Sequence, residues 1–140
     1  MSVHALRAYQ AVDTGSRCAT ADKRELVVMM YDAAIDAIRL ARLHAERGEK
    51  RAASAKVSHA MSVINGLRET LDLAKGGQVA EHLDDFYRFI LSDLVKSAGA
   101  SRPDVLPECE DLLGQVREAW TAISPGTAGH VTRHLFLIKS

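Results

Sequence analysis

The stretch Glu25–Ala34, ELVVMMYDAA, decides the fold that we expect for this 140-residue chain. Six consecutive apolar or aromatic residues, from Leu26 to Tyr31, lie at the start of a long helical pattern. A helix on the surface of a protein buries only one stripe of its side chains. Six consecutive apolar residues are more than one such stripe can hold. We therefore expect part of this run to face the chain's own core. The rest should meet another element, either residues 1–12 or a partner.

Apolar residues recur at steps of three and four on both sides of this stretch, which is the spacing of a helix and not of a strand. The first helix starts near Asp22, which with Glu25 forms a pattern close to a capping box, and it ends at Gly48. Gly76 and Gly77 separate the second helix from the third. The four predicted helices span residues 22–48, 49–74, 78–97 and, from the Pro103–Pro107 segment onward, up to 123.

The lengths of these helices and of their connections predict the architecture of the chain. A helix of roughly 20 residues is about 30 Å long, and short loops force consecutive helices to run antiparallel. The expected fold is all-α: an antiparallel up-down four-helix bundle with a short N-terminal helical segment and a C-terminal tail. We expect a single bundle domain over residues 1–124, with a cover segment over residues 1–21, and a tail over residues 125–140.

Composition and charge exclude several classes of function. The chain has 18 basic and 18 acidic residues, and only 5% of its residues are aromatic. A nucleic-acid-binding surface needs a basic face or stacking aromatic residues, so we expect no nucleic-acid partner. The N-terminus lacks the apolar region of a signal peptide, and no apolar run approaches the roughly 18 residues of a membrane span. We expect a cytoplasmic protein without membrane insertion.

The sequence contains no specific pattern of catalytic or metal-binding residues. Cys18 and Cys109 are too few for a disulfide framework or a metal cluster. His130 and His134 are four residues apart, but their HVTRH motif lacks the glutamate of a metalloprotease and an evident third ligand. We predict no enzyme activity, no cofactor and no metal. One alternative stays open, a bundle that binds haem or another small molecule. The histidines that it would use are His44, His59 and His82.

Short pieces of the sequence resemble the flagellar export chaperones of the FliS type. The resemblance covers about residues 8–120, and it depends on the order and spacing of the pieces together. These pieces are Ala8-Tyr9, Glu25-Leu26, Met29–Ala34, Leu71-Asp72, Gly76-Gly77, Ala80, Leu83, Phe86–Ile90 and Arg117–Trp120. The chain departs from the family where Asp22-Lys23 replaces a common Ser-Pro and where Ser97-Ala98 replaces Ala-Asn. We can place no counterpart of the tail, residues 125–140, in the family.

The resemblance implies a cytosolic chaperone that binds the C-terminal segment of flagellin. It would block premature filament assembly and hold the subunit ready for the flagellar type III export apparatus, with an export-gate component as a further partner. Tyr9 and its neighbours would form a movable cover over the binding groove. The candidate partner-binding residues are Tyr9, Leu26, Val27, Met29, Met30, Tyr31, Leu71, Leu83, Phe86 and Tyr87.

A structural bundle without a client is the competing interpretation. In that case, the apolar excess of the first helix would be buried in a homodimer, because exposed apolar patches are satisfied by self-association when no other partner covers them. The sequence does not identify the flagellin that would be bound, and it does not divide the first helix between core and groove.

Overall fold

The computed structural model describes residues 23–99 and 102–122. These residues form four α-helices and one 3-10 turn, with no strand among them. The elements are α1 (Lys23–Glu46), α2 (Lys50–Glu69), α3 (Leu73–Gly99), the 3-10 turn (Pro103–Val105) and α4 (Leu106–Thr121). The expected all-α helical bundle is therefore confirmed. The predicted cover segment with Tyr9, the cap at Asp22 and the tail lie outside the described residues.

Ion pairs between α1 and α4 show how the bundle closes. Asp32 in the first half of α1 pairs with Arg117 near the end of α4, and Arg39 farther along α1 lies 3.5 Å from Glu110 near the start of α4. Partners that advance along one helix while they retreat along the other belong to antiparallel helices. Consecutive helices also pack against one another, so each helix has two neighbours in a closed ring.

The connection between α2 and α3 differs from the prediction. The second helix ends at Glu69 and not at residue 74, because Thr70 adopts the cap position and its hydroxyl donates to the Leu67 carbonyl over 2.6 Å. Leu71 nevertheless packs against the core from this connection. The apolar spacing therefore continues past the end of the helix, and this continuation caused the error.

The predicted break at Gly76-Gly77 falls inside α3. Gly77 has φ +54° and ψ −133°, a backbone conformation that glycine adopts readily and other residues do not. A Cβ on the preceding Gly76 would lie 2.7 Å from the Cβ of Ala80. The glycine pair thus bends the start of α3 and lets its first turns approach each other closely.

The apolar run of α1 is divided between the core and the helix edge. Leu26, Val27, Met30 and Tyr31 are buried, whereas Val28 and Met29 are half-buried. Four of the six residues fit into the core because α1 packs against α2 on one side and α4 on the other, which widens its buried arc. The expectation that the rest of the run meets a partner stays a prediction.

A pair of tyrosines crosses the centre of the core from α1 to α3. The hydroxyls of Tyr31 and Tyr87 are 2.8 Å apart and share a hydrogen bond, and both side chains are buried. Burial raises the pKa of each phenol above its ordinary value, because the ionised form would lose its hydration. Both tyrosines are therefore neutral hydrogen-bonding groups at physiological pH.

Substitution of two glycines should shift stability in opposite directions. Gly77→Ala should lower the free energy of unfolding by about 1–3 kcal/mol, because alanine is strained in that backbone conformation. Gly114→Ala should raise it by about 1 kcal/mol, because Gly114 lies inside α4 and a Cβ there meets nothing within 4 Å. Urea unfolding followed by circular dichroism measures both values. A Gly77→Ala variant as stable as the parent would contradict the argument.

The buried tyrosines should make the bundle sensitive to alkali. Unfolded tyrosines ionise near pH 10, but Tyr31 and Tyr87 keep their protons to higher pH in the folded state. The free energy of unfolding should therefore fall as the pH rises above about 10. Urea midpoints at neutral and alkaline pH measure this fall, and the Tyr31→Phe/Tyr87→Phe double variant should show a smaller one. Equal falls in both proteins would show that other groups cause the effect.

Candidate functional site

An apolar groove lies at one end of the bundle, where α1 and α3 begin and α2 and α4 end. We call it the end groove, and its volume is about 340 Å³. Its apolar walls are formed by Val27, Leu71, Val79, Leu83, Tyr87 and Trp120, and Lys23 and Asp72 carry charges among the lining residues. A recess of this size and character binds apolar groups and leaves their polar neighbours at its rim.

Local features of the α2–α3 connection shape the end groove. The cap at Thr70 ends α2, so Leu71 reaches the groove from the connection and not from a helix face. Gly76 and Ala80 also line the groove, where they approach closely and have no long side chains to fill the recess. The groove is therefore bordered by a capped helix end and by small residues that leave it unfilled.

An ion pair holds the two helices that flank this connection. Arg68 in the last turn of α2 donates from its Nε to an Asp84 carboxylate oxygen on α3 over 2.8 Å. Both side chains are partly buried, so the charges are screened less by solvent than those of an exposed pair. This contact links the end of α2 to the first half of α3 and supports the geometry of the groove.

The end groove contains four of the ten residues expected to bind a partner. Val27, Leu83 and Tyr87 are at most 2% exposed and form its inner surface, whereas Leu71 is half-buried and lies nearer its opening. The four residues come from α1, the α2–α3 connection and α3, so only the folded bundle brings them together.

The other candidates are placed differently. Leu26, Met30, Tyr31 and Phe86 are buried in the core without lining the groove, and Met29 packs half-buried against the core. Tyr9 lies outside the described residues. The buried side chains support the groove from within the bundle, and their contact with a partner stays a prediction.

Val79, Ala80 and Trp120 line the groove but were not among the predicted site residues. In an antiparallel bundle the first turn of α1 meets the last turn of α4, and the Arg24 guanidinium lies 3.5 Å from the Thr121 carbonyl oxygen. The position of Trp120 in the last turn of the predicted fourth helix was therefore a signal that could have placed it at this end.

Two other recesses are weaker candidates for the binding site. The lining of one is largely charged, and the other contains none of the predicted residues. A groove of about 470 Å³ between α1 and α4 is lined largely by charged side chains, among them Asp32, Arg39, Glu110 and Arg117, which pair with one another. A cleft of about 330 Å³ at the opposite end of the bundle contains none of the ten candidates. We therefore take the end groove as the candidate functional site.

The described residues do not provide the groups of a metal centre or a reactive thiol. Between residues 23 and 99 and between 102 and 122, no three histidine, cysteine or acidic residues are grouped as metal ligands would be. Cys109 is buried, and desolvation raises the pKa of its thiol to about 12, which keeps it protonated and unreactive. None of the helices in these ranges is long and apolar enough to cross a membrane.

Comparison with known proteins gives a consistent result. The sequence model of the family described as "Flagellar protein FliS" matches residues 5–127. The flagellar secretion chaperone FliS of Salmonella typhimurium is 34% identical over 121 residues, which are 86% of this chain and 90% of that protein. The flagellar secretion chaperone FliSB of Pseudomonas aeruginosa is 28% identical over 88% of this chain and 98% of its own length. The chain belongs to the FliS family, a chaperone family, and is not an enzyme.

Proposed function

We propose that this chain is a cytoplasmic, flagellin-specific export chaperone. It binds the C-terminal helical segment of flagellin, prevents its premature polymerisation and supports its delivery to the flagellar type III export apparatus. The observation that carries this proposal is the end groove, because it brings four of the residues predicted to bind a partner together in one apolar recess.

The size of the end groove defines how a helical client would bind. A helix with its side chains is about 10 Å wide, so 340 Å³ encloses roughly 4 Å of its length, which is less than one turn. The client helix therefore lies across the opening and inserts individual apolar side chains. This is the helix-in-groove mode, in which apolar anchors supply affinity and the polar rim sets orientation.

The proposed cover would compete with the client for this recess. Lys23, the first residue of α1, is among the lining residues of the groove, so α1 begins beside the groove. Val3, Leu6, Tyr9 and Val12 have near-helical spacing and could present an apolar face to the groove. We propose that residues 1–12 occupy the groove until flagellin displaces them.

Self-association is the second candidate, and exposed apolar side chains favour it. Leu40, Leu43, Phe89 and Val95 are between 38% and 53% exposed. Leu40 and Leu43 are one turn apart on α1, so they form a small apolar patch outside the end groove. Sedimentation of the free protein over a range of concentrations tests this candidate, because burial of the patch in a homodimer requires a concentration-dependent mass.

A charge in the end groove should weaken client binding. Leu71→Glu places a carboxylate at the opening, and its desolvation by an apolar anchor should weaken binding of a flagellin C-terminal peptide at least about tenfold. Leu43→Glu is the matched control, because Leu43 is a partly exposed leucine outside the groove. Calorimetry gives the affinities, and Trp120, the only tryptophan of the chain, reports binding by its fluorescence.

Three results would count against the proposal. Absence of binding to the parent protein at tens of micromolar would exclude flagellin as the client. Equal affinities for the parent and Leu71→Glu would exclude the end groove as the binding site. A loss confined to Leu43→Glu would place the client on the outer face of α1.

Deletion of residues 1–12 should raise the affinity for the flagellin peptide, because the peptide would no longer have to displace the cover. It should also promote aggregation or dimerisation, since the groove would be left exposed. Calorimetry and light scattering on the full chain and the deletion variant measure the two effects. Unchanged affinity together with unchanged solution behaviour would show that this segment has no covering role.

A further inference from the structure

Two donors among the buried polar groups beneath the end groove lack an acceptor. The hydroxyls of Tyr31 and Tyr87 share a single hydrogen bond, so one of their two protons has no acceptor among the described residues. The indole N–H of Trp120 is also buried and has no hydrogen-bond partner among these residues. Tyr87 and Trp120 both line the groove.

Only one arrangement of these protons directs the spare donor toward the groove. If Tyr31 donates to the Tyr87 oxygen, the proton of Tyr87 remains free. The reverse arrangement leaves the free proton on Tyr31, which is fully buried and does not line the groove. Tyr87 does line it. A buried donor without an acceptor costs free energy, so an acceptor delivered through the groove would stabilise the first arrangement.

We propose that the segment bound in the end groove supplies this acceptor, so that the Tyr87 hydroxyl donates a hydrogen bond to an amide carbonyl oxygen of the client. A neutral carbonyl fits better than a carboxylate, because the surrounding walls are apolar and a buried charge there would be desolvated. The inference rests on the proposed chaperone function and adds a polar element to the recognition of the client.

Two isomeric variants test the proposal. Tyr87→Phe removes the hydroxyl of a residue that lines the groove, and it should weaken binding of the flagellin peptide about three- to tenfold, the usual effect of one lost hydrogen bond. Tyr31→Phe removes an identical hydroxyl 2.8 Å away but leaves the Tyr87 donor in place. Its affinity should therefore stay within about twofold of the parent. Calorimetry on the full chain gives both values.

The outcomes separate recognition from a general structural role. Equal affinities of the parent and Tyr87→Phe, or equal losses in the two variants, would overturn the proposal while leaving the proposed function intact. Absence of binding to the parent would overturn both. If Tyr87→Phe does not fold by circular dichroism, the double variant Tyr31→Phe/Tyr87→Phe replaces it, because removal of both partners leaves no unpaired hydroxyl. The double variant should show the same three- to tenfold loss, and parent-like affinity would overturn the proposal.

Peptide variants identify the source of the carbonyl. Each asparagine or glutamine of the flagellin peptide is replaced in turn by leucine, and each product is titrated against the parent and Tyr87→Phe. A replacement that weakens binding to the parent but not to Tyr87→Phe identifies a side-chain amide as the acceptor, since the two changes remove the same contact. If no replacement is coupled in this way while Tyr87→Phe remains weaker, the acceptor is a backbone carbonyl.

Discussion

The structure depends on one constraint: α1 buries side chains against two helices at once. Its neighbours α2 and α4 lie on different sides, so the buried arc extends from Leu26 through Tyr31 and is wider than a single seam. The ring of helices closes on α1, and the ion pair of Asp32 with Arg117 lies along this closing contact. Without the second neighbour, half of the apolar arc would remain in water, at a cost of roughly 25 cal/mol for each Å² exposed.

The end groove is formed where the apolar core reaches one end of the bundle. Val27, Leu83 and Tyr87 belong to the continuous apolar core and also form the inner wall of the groove. Because α2 is capped at Thr70 and α3 is bent at Gly77, none of the four described helices extends over these residues at that end. The candidate binding surface is therefore continuous with the core, and its shape depends on the stability of the whole bundle.

Helical spacing was sufficient to predict the four helices, because most buried residues recur at steps of three and four. It failed at residues 70–72, since Leu71 contacts the core from a connection and spacing does not distinguish a loop residue that packs from a helical one. Val27, Leu71, Leu83 and Tyr87 were among the predicted partner-binding residues, and the structure places them in one recess. Trp120 was not predicted as a site residue, because its place in the lining of the end groove depends on which helix ends meet. The bond between Tyr31 and Tyr87 depends on the register of two helices and leaves no trace in local sequence.

The two helices that pack against α1 lie at very different distances from it along the chain, and this has a consequence for biosynthesis. The α1–α2 hairpin has short-range contacts and can form as soon as both helices have left the ribosome, whereas Arg117 follows Asp32 by 85 positions. During translation, the α4-facing side of α1 therefore remains open to solvent until almost the whole bundle has been made. A nascent chaperone of this type exposes apolar surface of its own and passes through a period in which it is itself prone to aggregate.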